Sequence, residues 1–350
     1  MCTEPWLTFE IIYKLNFFTA AVHAASALVV FTWSFYMKPT PIRLEDEATG
    51  PYLPAVCFKS RLSNEPWFFV EPEVVWQLKE YVAVLITLFF TLSAVFQTFQ
   101  GINKSEYKYR VESNGTNFLR YIEYSFSASI MMVCIACTLM IFDMYIHILV
   151  FTCTFACMML GLITDCLRTN ARLLDKVLRK YPRHKDHDGN CFEEIQETRD
   201  GLKELMWQTH YLGWFTLMKP YLFVFAVSYF RTVYRHWACL DLLPEDTPAT
   251  PPWVHAVVII QFFLFSCFGM VQLLQLRENR VGLCATITFW EKPPSRHVMS
   301  DNEKAQEEKR IGLLTEFTFV VLSLIAKSIL GWIVAGNLLF VDVEKVLLTS

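Results

Sequence analysis

The run Gly312–Val341, GLLTEFTFVVLSLIAKSILGWIVAGNLLFV, holds only two charges, Glu316 and Lys327. A helix crosses a bilayer with about 20 mostly apolar residues, so this run is long enough to span with a lysine near its middle. Six more runs share its character, at about 15–37, 81–100, 118–142, 144–165, 209–230 and 252–276. Leu15–Met37, Tyr81–Gln100, Met144–Thr164 and Pro252–Leu276 are uncharged, Tyr121–Phe142 carries only Glu123, and Thr209–Phe230 carries only Lys219. The expected fold is therefore an all-α membrane protein: a single domain, residues 1–350, built as a seven-transmembrane-helix bundle in a lipid bilayer.

Composition agrees. The 350 residues are 54% hydrophobic and 19% charged, against about 25% charged in soluble domains. That balance excludes a disordered chain and a disulfide-stapled secreted domain, and the net charge of −3 excludes the basic surface of a nucleic-acid binder. The first apolar run is too long for the core of a cleavable signal, so it reads as a retained anchor.

Orientation follows from the basic residues. The N-terminal segment and the loops on its side hold 21 Lys and Arg; the opposite side holds eight, and the remaining two are Lys219 and Lys327. The positive-inside rule then places the N-terminus in the cytoplasm and the C-terminus outside. Two glycosylation sequons, at Asn103 and Asn114, fall in a loop assigned to the cytoplasm and are expected to stay unmodified. Residues 38–80 form a long extracellular loop, in which Trp67-Phe68-Phe69-Val70 reads as part of a short β-hairpin and a candidate subunit contact. Residues 166–208 form a cytoplasmic loop. Cys166–Lys180 continues the preceding helix, Arg183–Asn190 breaks it, and Phe192–Met206 resumes a helical pattern.

Ionisable side chains deep in a span are costly, so each is a candidate for function. Lys327 lies about 15 residues from either end of its run, roughly 22 Å along a helix and too deep to snorkel. Two readings stay open at this point, a covalent amine attachment or a structural ion pair. Glu123 is the natural partner, one turn after Arg120 and one turn before Ser127, and these continue as a stripe through Met131 and Cys134. Ser323 stands one turn before Lys327. Together these could supply a counterion and two hydroxyls for a protonated imine.

Arg120-Tyr121-Ile122-Glu123-Tyr124-Ser125 and Ser323-Leu324-Ile325-Ala326-Lys327-Ser328-Ile329-Leu330-Gly331-Trp332 resemble helices 3 and 7 of the heliorhodopsins. Those are seven-helix retinal proteins of the rhodopsin type with a cytoplasmic N-terminus, the orientation reached above from charge alone. Further similarity lies in His23, Gly213-Trp214, Pro220 and Phe262–Gln275. The resemblance implies all-trans retinal on Lys327 as a Schiff base, with Glu123 as counterion and Ser323 and Ser127 beside it. It also implies a pocket formed by Met131, Gly161, Trp214, Phe265 and Gln272, a polar cavity containing His23, and a homodimer. Gln97 departs from the family, standing where a second histidine is common, and Lys219 corresponds to no family feature. Arg120, Gln97 and Lys219 nonetheless join His23 as candidates for proton transfer or a polar cavity.

Ordinary proton-pumping rhodopsins place carboxylates four residues before the lysine and about three turns beyond the counterion. Here those places hold Ser323 and Cys134. The expected function is a photoreceptor with a slow photocycle that signals rather than pumps, the alternative being a light-gated proton or other ion pathway, and neither is an enzyme. A membrane enzyme is the remote alternative. His184, His187 and Cys191 are too few and too irregularly spaced for a zinc site. Cys134-x-x-Cys137 reads as packing, and Cys57 and Cys239 are the only two of 11 cysteines in external loops.

Overall fold

In a computed structural model the described residues are 7–36, 57–58, 68–69, 78–113, 115–139, 141, 143–180, 190–233, 252–277 and 301–340. They form eight helices. These are α1 (Phe9–Tyr36), α2 (Leu78–Ile102), α3 (Lys104–Glu112), α4 (Phe118–Thr138), α5 (Met144–Lys180), α6 (Asn190–Val233), α7 (Pro252–Leu276) and α8 (Asp301–Val334), the last running into a π-helical turn at Ala335–Phe340.

Six of the helices are long and apolar enough to cross a membrane: α1, α2, α4, α5, α7 and α8. The expected span at 209–230 lies inside α6, whose described residues do not reach that hydropathy. His210, Lys219 and Pro220, together with several tyrosines, dilute its apolar residues. All seven long helices nevertheless pack as one bundle, with α1 on α2, α2 on α4, α4 on α5, α5 on α6, α7 on α8, and α8 back on α1. The protein is an integral, multi-pass membrane protein by these helices.

Local chemistry sets several boundaries. Asn117 caps α4 by accepting the backbone N–H of Arg120, and Asp143 Oδ1 caps α5 through the N–H groups of Tyr145 and Ile146, 2.8 and 3.2 Å away. The α4–α5 connection is further tied by His147, whose ring lies 2.7 Å from the Ile141 carbonyl and 3.2 Å from the Tyr81 hydroxyl. α5 continues to Lys180 and α6 resumes at Asn190, as the periodicity predicts; Arg199 and Lys203 of α6 pair with Asp175 of α5. α3 was not expected. It is a short charged helix that buries Tyr107 and Val111, one turn apart, against the bundle.

Between α1 and α2 the described residues are two dipeptides, Cys57–Phe58 and Phe68–Phe69, paired antiparallel. These four residues alone do not establish the short hairpin expected there, and Trp67 and Val70 lie outside the described residues. So do Cys239, hence any pairing with Cys57, and the His184–Asp188 stretch.

α4 sits at the centre, nine-tenths buried, while the other helices turn apolar side chains such as Phe18, Leu28, Phe99, Leu222 and Phe263 outward. The interior is divided. At the end carrying the α1 N-terminus, Asn16, Thr19, His23 and Ser26 of α1 and Ser93, Gln97 and Gln100 of α2 form buried polar stripes at helical spacing. Towards the other end the interior is more apolar, with Val82, Ile86, Phe89, Ile135, Leu330 and Val334 all buried alongside Thr138, His147 and Thr154.

Candidate functional site

Lys327 of α8 and Glu123 of α4 meet at the centre of the bundle. Lys327 Nζ lies 2.5 Å from Glu123 Oε1, with the two side chains only 4% and 2% exposed. Burying a charge pair is tolerable only with additional hydrogen bonds. Ser93 of α2 supplies one: its hydroxyl accepts from Lys327 Nζ at 2.5 Å and donates to the Phe89 carbonyl at 3.0 Å. Ser93 has no charge to mark it in the sequence, and its place here depends on the packing of α2. The ammonium also stands 5.1 Å from the centroid of the Tyr124 ring. α8 is fixed beside the lysine by Gln261, which donates to the Ala326 carbonyl at 2.9 Å.

The two expected serines do not hold the lysine. The hydroxyls of Ser127 and Ser323 are buried without a hydrogen-bond partner among the described residues, and both line a cavity that starts at Lys327. That cavity has a volume of about 290 Å³, and Met131 and Phe265 are in its wall. A second cavity of about 550 Å³ adjoins it, sharing Tyr124, Met158, Phe265 and Phe268, and continues to Gly161, Trp214 and Gln272. All five expected pocket residues therefore line one or the other of these two adjoining cavities. Glycines shape it. A Cβ on Gly269 would stand 2.6 Å from Trp214 Cζ2, and one on Gly161 would stand 3.2 Å from Tyr121 Cε1. Only a hydrogen lets the indole lie against α7.

Arg120 belongs to a different cluster. Its guanidinium pairs with Glu316, three turns before Lys327 on α8, and stacks 4.0 Å from the Phe319 ring centroid. Glu316 also accepts from Asn117 Nδ2 at 3.0 Å and from the Tyr107 hydroxyl at 3.1 Å. Burial, then the Glu316 carboxylate, push the Tyr107 phenol well above its ordinary value, so it remains a donor. Glu316 is thus a buried functional candidate that the sequence reading passed over, although its charge in an apolar run was the available signal.

His23 is fully buried, and both its ring nitrogens lack a partner among the described residues; its ring lies 5.5 Å from that of Phe90. Gln97 is buried with its side-chain oxygen likewise unpartnered. Lys219 is a correction. It is exposed on the outer face of α6, 4.7 Å from the Phe215 ring centroid, so it lines no polar cavity and does not meet Glu123. Cys134 and Cys137 are buried in the core, and among the described residues no group of three His, Cys, Asp or Glu could hold a metal ion.

A central helix thus carries a carboxylate against a lysine on α8, at one end of an aromatic cavity. The heliorhodopsin family model matches residues 12–177, from α1 almost to the end of α5, which bears out the resemblance read from the sequence. No curated protein matches the chain. The matched region contains Glu123; Lys327 lies beyond it.

The residues present fit the retinal that this family implies. A buried primary amine opens into an apolar, aromatic-walled hollow, two unpartnered hydroxyls lie near it, and a carboxylate stands ready as counter-charge.

Proposed function

We propose that the protein is a light-absorbing, retinal-binding membrane photoreceptor of the heliorhodopsin type, signalling through a slow photocycle rather than pumping. The observation that carries this reading is the Lys327–Glu123 contact at the head of the aromatic cavity. When bound, all-trans retinal would supply a visible chromophore whose linkage at Lys327 becomes a protonated imine. Glu123 then holds the counter-charge, and Ser93 orients the nitrogen. Tyr124, Phe265 and Phe268 exclude water and confine the chain. In this reading α6 makes the seventh crossing, the N-terminus is cytoplasmic, the 38–80 loop carries the β-hairpin outside, and two copies form a homodimer.

The test is expression of the full chain with all-trans retinal. A visible absorption band is expected, and it disappears in Lys327→Ala. A colourless wild type sinks the proposal.

A light-gated proton pathway is the second reading, and one observation favours it. His23, Gln97, Ser127 and Ser323 all leave buried polar atoms unpartnered among the described residues, as groups lining a watery path would. Light-evoked currents in voltage-clamped cells separate the two. A steady current with a reversal potential supports the pathway, and silence supports the sensor.

A further inference from the structure

At the end of the cavity remote from Lys327 a chain of hydrogen bonds runs through a histidine outside the Lys327–Glu123 contact. Trp214 Nε1 donates to His210 Nε2 at 3.0 Å, and His210 Nδ1 faces Gln272 Oε1 at 3.3 Å. Gln272 Nε2 donates to the Gly161 carbonyl at 2.7 Å and to the Tyr121 hydroxyl at 3.2 Å. The two ends of this chain fix its direction independently. An indole N–H can only donate, so Nε2 of His210 must accept and its proton must sit on Nδ1. A backbone carbonyl can only accept, so the Gln272 amide must turn its nitrogen towards Gly161 and its oxygen towards His210. Both constraints demand the same neutral tautomer, Nδ1–H.

The consequence is mechanical. Trp214 is held at its nitrogen by His210 and at its benzo edge by the close approach to Gly269. Gln272 is held from both sides. Tyr121, at the far end of the chain, follows Arg120 in sequence, and the Arg120 guanidinium lies 5.1 Å from its ring centroid. Arg120 in turn pairs with Glu316. His210 is nearly fully buried, packed against the rings of Trp207 and Tyr211 on its own helix, and has no freedom to serve as a surface group.

We infer that His210 is a positioning residue for the light reaction: it holds Trp214 and Gln272 in the arrangement that closes the far end of the cavity, and it passes any displacement of Trp214 to Tyr121 and the Arg120–Glu316 pair. The inference rests on the retinal reading for its consequence, but not for its geometry. A substituent that pushes the indole must break or carry the Trp214–His210 bond, because the tautomer allows no alternative acceptor at that nitrogen.

Two measurements test it. In light-minus-dark infrared spectra of the full chain with all-trans retinal, the wild type shows a signal from an indole N–H. That signal is identified by its absence in Trp214→Phe. It disappears or moves in His210→Phe and returns in His210→Gln, whose amide oxygen can again accept. Loss of one net hydrogen bond changes photoproduct decay by about fivefold in His210→Phe. An indole signal and decay in His210→Phe identical to the wild type overturn the inference.

Solid-state nuclear magnetic resonance of wild-type protein labelled with ¹⁵N-histidine covers the case in which that variant does not fold. The resonance lost in His210→Gln must show a neutral ring protonated at Nδ1; an Nε2–H or doubly protonated ring overturns the inference. This second measurement needs no retinal. A wild type that stays colourless but shows the Nδ1–H tautomer defeats the proposed function and leaves the positioning geometry standing.

Discussion

Replacing Glu123 by glutamine removes a charge while keeping the shape of the side chain. The Lys327–Glu123 separation is 2.5 Å and both groups are buried. At an effective dielectric of about 20, unit charges this close attract by roughly 7 kcal/mol. Excitation of a protonated polyene imine moves positive charge away from the nitrogen. Displaced by roughly 8 Å, the same charge is attracted by about 2 kcal/mol. The anion therefore stabilises the ground state over the excited state by roughly 5 kcal/mol, and removing it lowers the transition energy by that order. Glu123→Gln is expected to shift the band of the protonated form to the red, and Glu123→Asp, which keeps the charge, to shift it less. Ser93, 2.5 Å from the lysine nitrogen, can accept its N–H where the carboxylate is removed, so the site is not left without a polar partner. The assay is the absorption spectrum of full-length protein with all-trans retinal, in chloride-free buffer so that no added anion replaces the carboxylate. A Glu123→Gln spectrum identical to the wild type would refute the assignment of Glu123 as counterion.

Three other outcomes follow from the geometry. Arg120→Ala strands Glu316 in a buried setting and is expected to cost about 3–5 kcal/mol, read as an earlier thermal transition in detergent, whereas replacing both partners by methionine costs much less; equal losses in the two variants would contradict the pairing. Gly269→Ala places a methyl 2.6 Å from Trp214 Cζ2, so it displaces the indole at about 1–3 kcal/mol and moves the absorption band; an unmoved band would mean that Trp214 does not bound the chromophore. Asn103, exposed between α2 and α3, is expected to carry no glycan in a eukaryotic host, and a glycosidase-sensitive mobility shift lost in Asn103→Gln would reverse the orientation.

Lys327 and Glu123 were legible from the chain alone because each violates the apolar rule of its own span, a signal that needs no partner. Lys219 gave the same signal and means something else. Its helix is less apolar, and the side chain faces outward, where a lysine can extend along the surface to water. One-dimensional reading cannot tell an inward from an outward face when the whole segment is apolar. Ser93 was invisible because a serine in a span is unremarkable until a neighbouring helix brings an ammonium to it. The Arg120–Glu316 pair lay in plain view as two charges, yet joining them requires the relative rotation of α4 and α8, helices separated by 196 positions at that contact. His210 gave no signal in the chain, because its role depends on a glutamine 62 residues away. Short α3 was hidden by its charge, since Tyr107 and Val111 are its only buried residues.

The divided interior bears on sensor against pump. From Lys327 towards the end carrying the α1 N-terminus, the buried residues are polar: Ser323, Ser127, His23, Gln97, Gln100 and the Arg120–Glu316 pair. Towards the other end α8 continues as Leu330 and Val334, facing Val82, Ile86 and Phe89 of α2 and Ile135 of α4, all fully buried. Moving a proton through that apolar layer without a carboxylate or water would cost several kcal/mol or more. In the retinal reading a proton released near Glu123 would meet more polar side chains towards the α1 N-terminus than across this layer, although Thr138, His147 and Thr154 are also buried on the far side. The proposed photoreceptor reading requires a site of this kind, whose charge arrangement would change in light and be restored in the dark without net transport. On that reading a polar residue at Ile86, Ile135 or Leu330, all three apolar in this chain, would ease passage across the apolar layer.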